Sequence, residues 1–276
     1  MPTQSTLAYI VDAFTDKAFG GNPAAVCILN EIKSDQWLQQ VAAEFNLSET
    51  AFLLQQTDHS WQLRWFTPTC EIKLCGHATL ASAHVLVTEL LLADQELIFL
   101  TLSGALKATR NKGKITLDFP KISPQLLSRI FLYDKDTGIN QLNLNIVAGY
   151  QAGEDILLEL ENEENVLQYQ PDFTKISRIN ARGLIITAKS ATNERDFVSR
   201  FFAPRAGINE DPVTGSAHCS LAEFWSKRLG KSILRAEQLS SRRGILDLEV
   251  LDTRVKLIGS CVTVFKGELV LKNECV

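Results

Sequence analysis

The sequence predicts an α+β fold of two similar halves, each a curled, mostly antiparallel, barrel-like sheet around one central helix. The first observation behind this is an internal repeat. Arg64-Trp65-Phe66-Thr67-Pro68 followed by Cys75-Gly76-His77-Ala78 is echoed by Arg200-Phe201-Phe202-Ala203-Pro204 followed by Thr214-Gly215-Ser216-Ala217. The arginines lie 136 positions apart and the Gly-x-Ala steps 139 apart, so the copies differ by a three-residue insertion. A separation of half the chain suggests two like modules facing one another across a pseudo-twofold axis. The second observation is the excess of short strand-like runs over helical ones. The third is the lack of βαβ alternation and of a Gly-rich nucleotide fingerprint, which disfavours a dinucleotide fold.

The elements follow in order. Leu7–Phe14 and Ala24–Leu29 read as neighbouring strands, with a loop at Phe19-Gly20-Gly21-Asn22-Pro23 because paired glycines and Asn-Pro break regular structure. Ser34 to Phe45 turns helical: Ser34 or Asp35 can cap it, and Trp37, Leu38, Val41 and Phe45 share a face. Strands at Ala51–Leu54 and Trp61–Phe66 flank the polar turn Thr57–Ser60. The helix opening near Gly76 is rich in small residues (Ala78, Ala81, Ser82, Ala83), which suits a helix enclosed by a sheet; its counterpart after Gly215 carries Ala217, Cys219, Ser220 and Ala222. After the strand Ile115–Leu117, the two prolines of Asp118–Pro124 mark a linker. Strands are then expected at Leu142–Val147, Asp155–Leu160 and Leu184–Thr187, with a weak helix over Asp172–Ile179. The remaining strands are expected at Asp247–Val250, Arg254–Ile258, Cys261–Phe265 and Gly267–Leu271.

Bulk properties exclude several classes. With 276 residues the chain can hold two ordinary domains, and 45% hydrophobic against 22% charged residues excludes long disorder. A net charge of −4 with interspersed signs recommends neither nucleic acid nor an anionic membrane as partner. Met1–Thr6 has no basic region or hydrophobic core, so it is not a secretion signal, and a cytoplasmic location is expected. The six cysteines (Cys27, Cys70, Cys75, Cys219, Cys261, Cys275) form no CxxC pair and read as buried free thiols of a reducing compartment.

The candidate chemical residues sit where the two copies diverge. Matching Asn46 with Asn180 gives Ser48-Glu49 in the first half and Arg182-Gly183 in the second, so only the first half places a carboxylate at the mouth of its strand. A carboxylate at the edge of a buried strand loses hydration and is poised for general acid–base work; the plainer reading is a surface glutamate past a helix end. His77, beside the helix start, can donate to a substrate or carry a proton, or simply pack. Backbone N–H groups near Gly76 and Gly215, with the helix dipoles, form anion sites, and two such ends at a domain junction would make a cleft for a small acid. Asp211 could orient an amine or hydroxyl and Ser216 could hold a carboxylate, or both could serve as helix caps. His84 reads as buried structure, and a zinc site of Cys70, Cys75, His77 and His84 matches no common spacing.

Gly21-Asn22-Pro23-Ala24-Ala25-Val26, Asn46-Leu47-Ser48-Glu49-Thr50-Ala51-Phe52, Arg64–Pro68, Leu74–Thr79 and Asp211-Pro212-Val213-Thr214-Gly215-Ser216-Ala217, with Asp12–Thr15 before them, resemble the signature blocks of the PhzF phenazine-biosynthesis family, in family order. The resemblance implies the diaminopimelate epimerase fold: two domains, 1–118 and 125–276, with the last strand free to return to the first, and the site between them. It implies a cofactor-free, metal-free isomerase. The name-giving member moves a proton between ring carbons of trans-2,3-dihydro-3-hydroxyanthranilate. Its catalytic glutamate falls on Glu49, its histidine on His77, its aspartate on Asp211, and its serine and glycine on Ser216 and Gly76. A homodimer acting on a small carboxylate is implied as well. Related racemases use one thiol before each helix; here Cys75 holds the first place but Thr214 the second, which disfavours a two-thiol racemase. An epimerase with Asp211 as second base and a non-catalytic binding scaffold remain the alternatives.

Overall fold

The computed structural model describes residues 5–92 and 96–270. The described residues form two units: one holds the chain up to Asp118 together with the residues from Ile258 onward, the other Phe119–Leu257.

In the first unit, Thr6–Ala13 and Asn22–Leu29 form an antiparallel hairpin. The helix Asp35–Phe45 then carries the chain across to Glu49–Gln55, which runs parallel to Asn22–Leu29. Trp61–Phe66 returns antiparallel, and the short Glu71–Ile72 pairs with it. After the helix Gly76–His84, Leu97–Thr101 lies parallel to Trp61–Phe66, and Gly104–Asn111 and Lys114–Pro120 follow antiparallel. Cys261–Leu269 closes on the outer side of Thr6–Ala13.

The second unit repeats the program strand for strand. Ile146–Ala152 and Asp155–Leu160 form the hairpin, and two short helices lead to Leu184–Lys189, parallel to Asp155–Leu160. Phe197–Ala203 returns antiparallel with the short Ile208–Asp211 beside it. After the helix Gly215–Leu229, Ile233–Gln238 lies parallel to Phe197–Ala203 and Gly244–Val250 pairs antiparallel with it. This is the α+β class the sequence predicts, with antiparallel pairs in the majority.

In the first unit the core surrounds the helix Gly76–His84. Every residue from Gly76 to Ala83 is buried, against the strands Thr6–Ala13, Asn22–Leu29 and Glu49–Gln55. Gly259 lets its own segment approach the same helix: a Cβ there would stand 2.6 Å from the Phe14 ring and 2.9 Å from Leu80. Burying a side chain such as Leu80 or Phe14 contributes on the order of 2 kcal/mol. The second unit packs Ile156, Leu158, Ile186, Val198 and Phe202 into its own cluster.

Several expectations need correcting. Leu142–Val147 does not open as a strand: Ile139–Leu142 is a buried 3-10 turn, Asn143 takes the left-handed conformation at φ 54°, and the strand begins at Ile146. The strand before the linker runs on to Pro120, because Phe119 is a core residue rather than a loop one. The C-terminal runs are one strand, Cys261–Leu269, continuous through Gly267; Leu271 lies outside the described residues. Cys27, Cys75 and Cys219 are buried thiols as expected, but Cys70 is exposed in the turn after Trp61–Phe66 and Cys261 is half-buried; Cys275 lies outside the described residues. No helix among the described residues is long and apolar enough to cross a membrane.

Candidate active site

Three turns of local structure deliver the first set of side chains. Asn46 ends the helix Asp35–Phe45 in the left-handed conformation, its N–H donating to the Ala42 carbonyl, so the chain reverses and Glu49 becomes the first residue of a strand. Parallel pairing sets Glu49 opposite Ala24, and the residue is only 7% exposed. That burial separates it from an ordinary surface glutamate. Gly21, at φ 61°, makes the turn before Asn22; a Cβ there would meet the Ala13 carbonyl oxygen at 2.1 Å, so a glycine is required. Cys75 precedes the helix Gly76–His84 as its N-cap without a side-chain capping bond, and His77 follows in the first turn.

These turns converge. His77 Nε2 lies 3.1 Å from Glu49 Oε2. On the other side of the ring, His77 Nδ1 lies 3.1 Å from the Asn22 amide nitrogen and 3.6 Å from Cys75 Sγ. Glu49 Oε2 and His77 Nε2 are close enough for an ion pair but not aligned for a hydrogen bond, so both buried atoms keep bonding capacity to offer. Burial alone would push the His77 imidazole down; charge at Cys75 and at Glu49 pushes it up, and the net direction is well above the ordinary histidine range. Burial also pushes the Cys75 thiol up.

In the second unit Asp211 ends the short strand Ile208–Asp211 and is buried. It accepts a bond from the Thr214 hydroxyl at 2.5 Å. Gln238 ties the turn: its Nε2 donates to the Asp211 carbonyl (2.7 Å), and its Oε1 accepts from the Thr214 N–H (2.9 Å). The helix that begins at Gly215 has no side-chain cap either, which leaves its first N–H groups available. Ser216 Oγ accepts from Arg182 Nη2 at 3.0 Å, and Arg182 is clamped bidentately by the buried Asp155.

Of the residues the sequence singles out, Glu49, His77 and Cys75 come together in the first unit. Asp211 and Ser216 stand at the helix start of the second, Asp211 bonded to Thr214 and Ser216 to Arg182. His84 is not part of either set, since its Nε2 meets Thr263 Oγ1 at 3.0 Å, and exposed Cys70 stands apart from the buried trio. Sequence reasoning assigned no role to Asn22, Asp155, Arg182 or Gln238. Asn22 and Arg182 lie inside stretches that drew notice, whereas Gln238 sits on a strand that carries no motif.

Residues 11–267 match the family described as phenazine biosynthesis-like protein, PhzC-PhzF. The chain belongs to that family. A Halalkalibacterium halodurans protein named as an uncharacterized isomerase is 45% identical over 268 residues, covering 97% of this chain and 99% of its own length. The crystal structure of an Enterococcus faecalis phenazine biosynthesis protein of the PhzF family superposes with a TM-score of 0.90 at 42% identity, covering 97% of this chain and 100% of that one. A hydroxyproline epimerase from Agrobacterium vitis shares the fold alone, with a TM-score of 0.64 at 9% identity over 99% of this chain and 94% of that one. On family, relatives and fold, the chain is an enzyme of the isomerase class.

Proposed function

We propose that this PhzF-family chain is a cofactor-independent isomerase that moves a proton within a small cyclic or amino-acid-like carboxylate, with Glu49 as the transferring group. The observation that carries this is the buried Glu49–His77 pair, in which the carboxylate oxygen and the imidazole nitrogen both retain unused bonding capacity. Glu49 takes the proton from an activated C–H and returns it at another carbon. The His77 imidazolium stabilises the negative charge that develops meanwhile, and the buried surroundings strengthen that interaction. The uncapped helix start at Gly76-His77 supplies N–H groups for a carboxylate. On the family resemblance Asp211, Gly215 and Ser216 bind the substrate too.

The epimerase alternative needs a base on each face of the substrate carbon. The position of the second thiol is occupied by Thr214, whose hydroxyl is committed to Asp211, and this weighs against it. A homodimer in the cytoplasm is part of the proposal, the dimer resting on the family resemblance and the reducing compartment on the free cysteines; light scattering that gives a monomer mass at micromolar concentration overturns the dimer.

The test is deuterium wash-in. A panel of cyclic carboxylates that includes trans-2,3-dihydro-3-hydroxyanthranilate is incubated with the chain in D2O and followed by proton NMR. Exchange that requires Glu49 supports the reading. Exchange that survives Glu49→Gln but is abolished by Cys75→Ser transfers the role to the thiol.

A further inference from the structure

Glu49, Cys75 and His77 bring together a carboxylate oxygen, a sulfur and an imidazole nitrogen, all within 4.8 Å of one another and all on buried residues. Two of these groups end in atoms, Glu49 Oε2 and His77 Nε2, that are buried without an aligned hydrogen-bond partner. Such atoms are costly to leave unsatisfied, and their presence in one small cluster points to something that binds there. We propose that this cluster captures one thiophilic divalent cation, zinc being the physiological case, and that the bound ion shuts the isomerase site.

Sulfur, imidazole nitrogen and carboxylate oxygen are all zinc ligands, at bond lengths of about 2.0–2.3 Å. Tetrahedral ligands at those lengths stand about 3.3–3.8 Å apart. One donor atom from each of Cys75, His77 and Glu49 lies within 4.8 Å of the other two, and the Glu49 Oε2–His77 Nε2 separation is 3.1 Å. In the proposed site, rotations of the three side chains close this wider spacing and bring one donor from each onto a single ion. The Asn22 amide, 3.1 Å from His77 Nδ1, completes the arrangement: with its oxygen turned toward the ring it accepts the Nδ1 proton and leaves Nε2 to the metal. As the metal–sulfur bond forms, the Cys75 thiol releases its proton to solvent, and the fourth position is left to water. An ion on Glu49 Oε2 occupies the lone pair that proton transfer needs, so it inhibits rather than assists. The inhibition rests on the isomerase reading; the binding does not.

The full-length chain, stripped of metal, is titrated with Cd2+ alone. One equivalent is expected by calorimetry, together with a sulfur-to-cadmium charge-transfer absorption. A chain carrying Cys70→Ser and Cys275→Ser keeps both signals, and Cys75→Ser loses the absorption. Glu49→Gln and His77→Gln each weaken binding about tenfold or more. The proposal is overturned by an absorption that survives Cys75→Ser, by its disappearance in the Cys70→Ser/Cys275→Ser chain, or by an affinity that neither Glu49→Gln nor His77→Gln alters. Circular dichroism checks that Cys75→Ser is folded; if it is not, the Glu49 and His77 variants decide alone. Because no turnover is read, a failed titration leaves the isomerase reading standing, and a failed exchange assay leaves the metal site standing. Exchange by the wild-type chain that persists with stoichiometric Zn2+ overturns the inhibition.

Discussion

The two units run the same strand program, yet the strand after the crossover opens on Glu49 in the first unit and follows Arg182-Gly183 in the second. The second unit has a carboxylate nearby, Asp155, but the Arg182 guanidinium holds it in a bidentate pair. The place of Glu49 is itself closed, since a Cβ on Gly183 would stand 2.3 Å from the Phe201 ring. The helix starts differ in the same sense. Cys75 and His77 surround Glu49, whereas Thr214 and Ser216 occupy the matching places and are bonded to Asp211 and Arg182. One module thus keeps an acid with capacity to spare, while the other neutralises Asp155 and turns toward hydroxyls and N–H groups.

The largest test of that asymmetry is Glu49→Gln, which preserves size but removes the transferable charge. Turnover should fall by about 10²–10⁴, with thermal unfolding close to wild type. Unchanged turnover would mean that the acid of the first unit is no more active than that of the second.

The buried histidines of the two helices sharpen the contrast through pH. Burial pushes His218 down to about 4, only partly offset by its bond to the Thr214 carbonyl. Between an unfolded value of about 6.5 and 4, the unfolded chain binds a proton that the folded chain does not. The stability contribution is therefore complete above about pH 6.5 and declines by about 3 kcal/mol as pH falls through 4. His77, shifted upward, has the opposite sign: its contribution is complete below about pH 6.5 and is lost as pH rises through the folded value. Urea unfolding across pH should show His218→Gln flattening the acid limb; an acid limb identical to wild type would count against the assignment.

A smaller effect is expected from Gly183→Ala. Its methyl must displace the buried Phe201 ring, at about 1–3 kcal/mol in a denaturant titration. A neutral result would show that the second unit could accommodate a side chain at the Glu49 position after all.

The smallest is Cys75→Ser, which should change exchange turnover less than tenfold, because burial pushes the Cys75 thiol up, away from the thiolate that a base requires. A loss comparable to that of Glu49→Gln would revive the thiol chemistry of the epimerases.

Much of the fold was legible in the sequence because the repeat was. Arg64 and Arg200, which marked it, prove to be the same ion pair made twice, to Glu71 and to Glu210. Glu49 was legible as the acid with no counterpart, and His77 by its place beside the helix start. Asn22, Arg182 and Gln238 were not, because a bond such as Gln238 to Thr214 is a contact between distant segments that no local pattern announces. The Leu142–Val147 error has a local cause: an alternating Leu-Asn pattern looks extended, but Asn tolerates the left-handed turn that Asn143 makes. Cys70 was misplaced because composition says how often cysteines are buried, not which one sits in a turn.

The pairing of Cys261–Leu269 with Thr6–Ala13 has a consequence for biosynthesis. The first unit draws on both ends of the chain, whereas the second is continuous in sequence. As the polypeptide leaves the ribosome, the unit that begins second can reach its final form first. The N-terminal strand waits with one edge open until the last segment emerges. An open edge of that kind invites pairing with other chains. Losing the C-terminal strand should therefore send nascent protein toward aggregation rather than toward a smaller soluble enzyme.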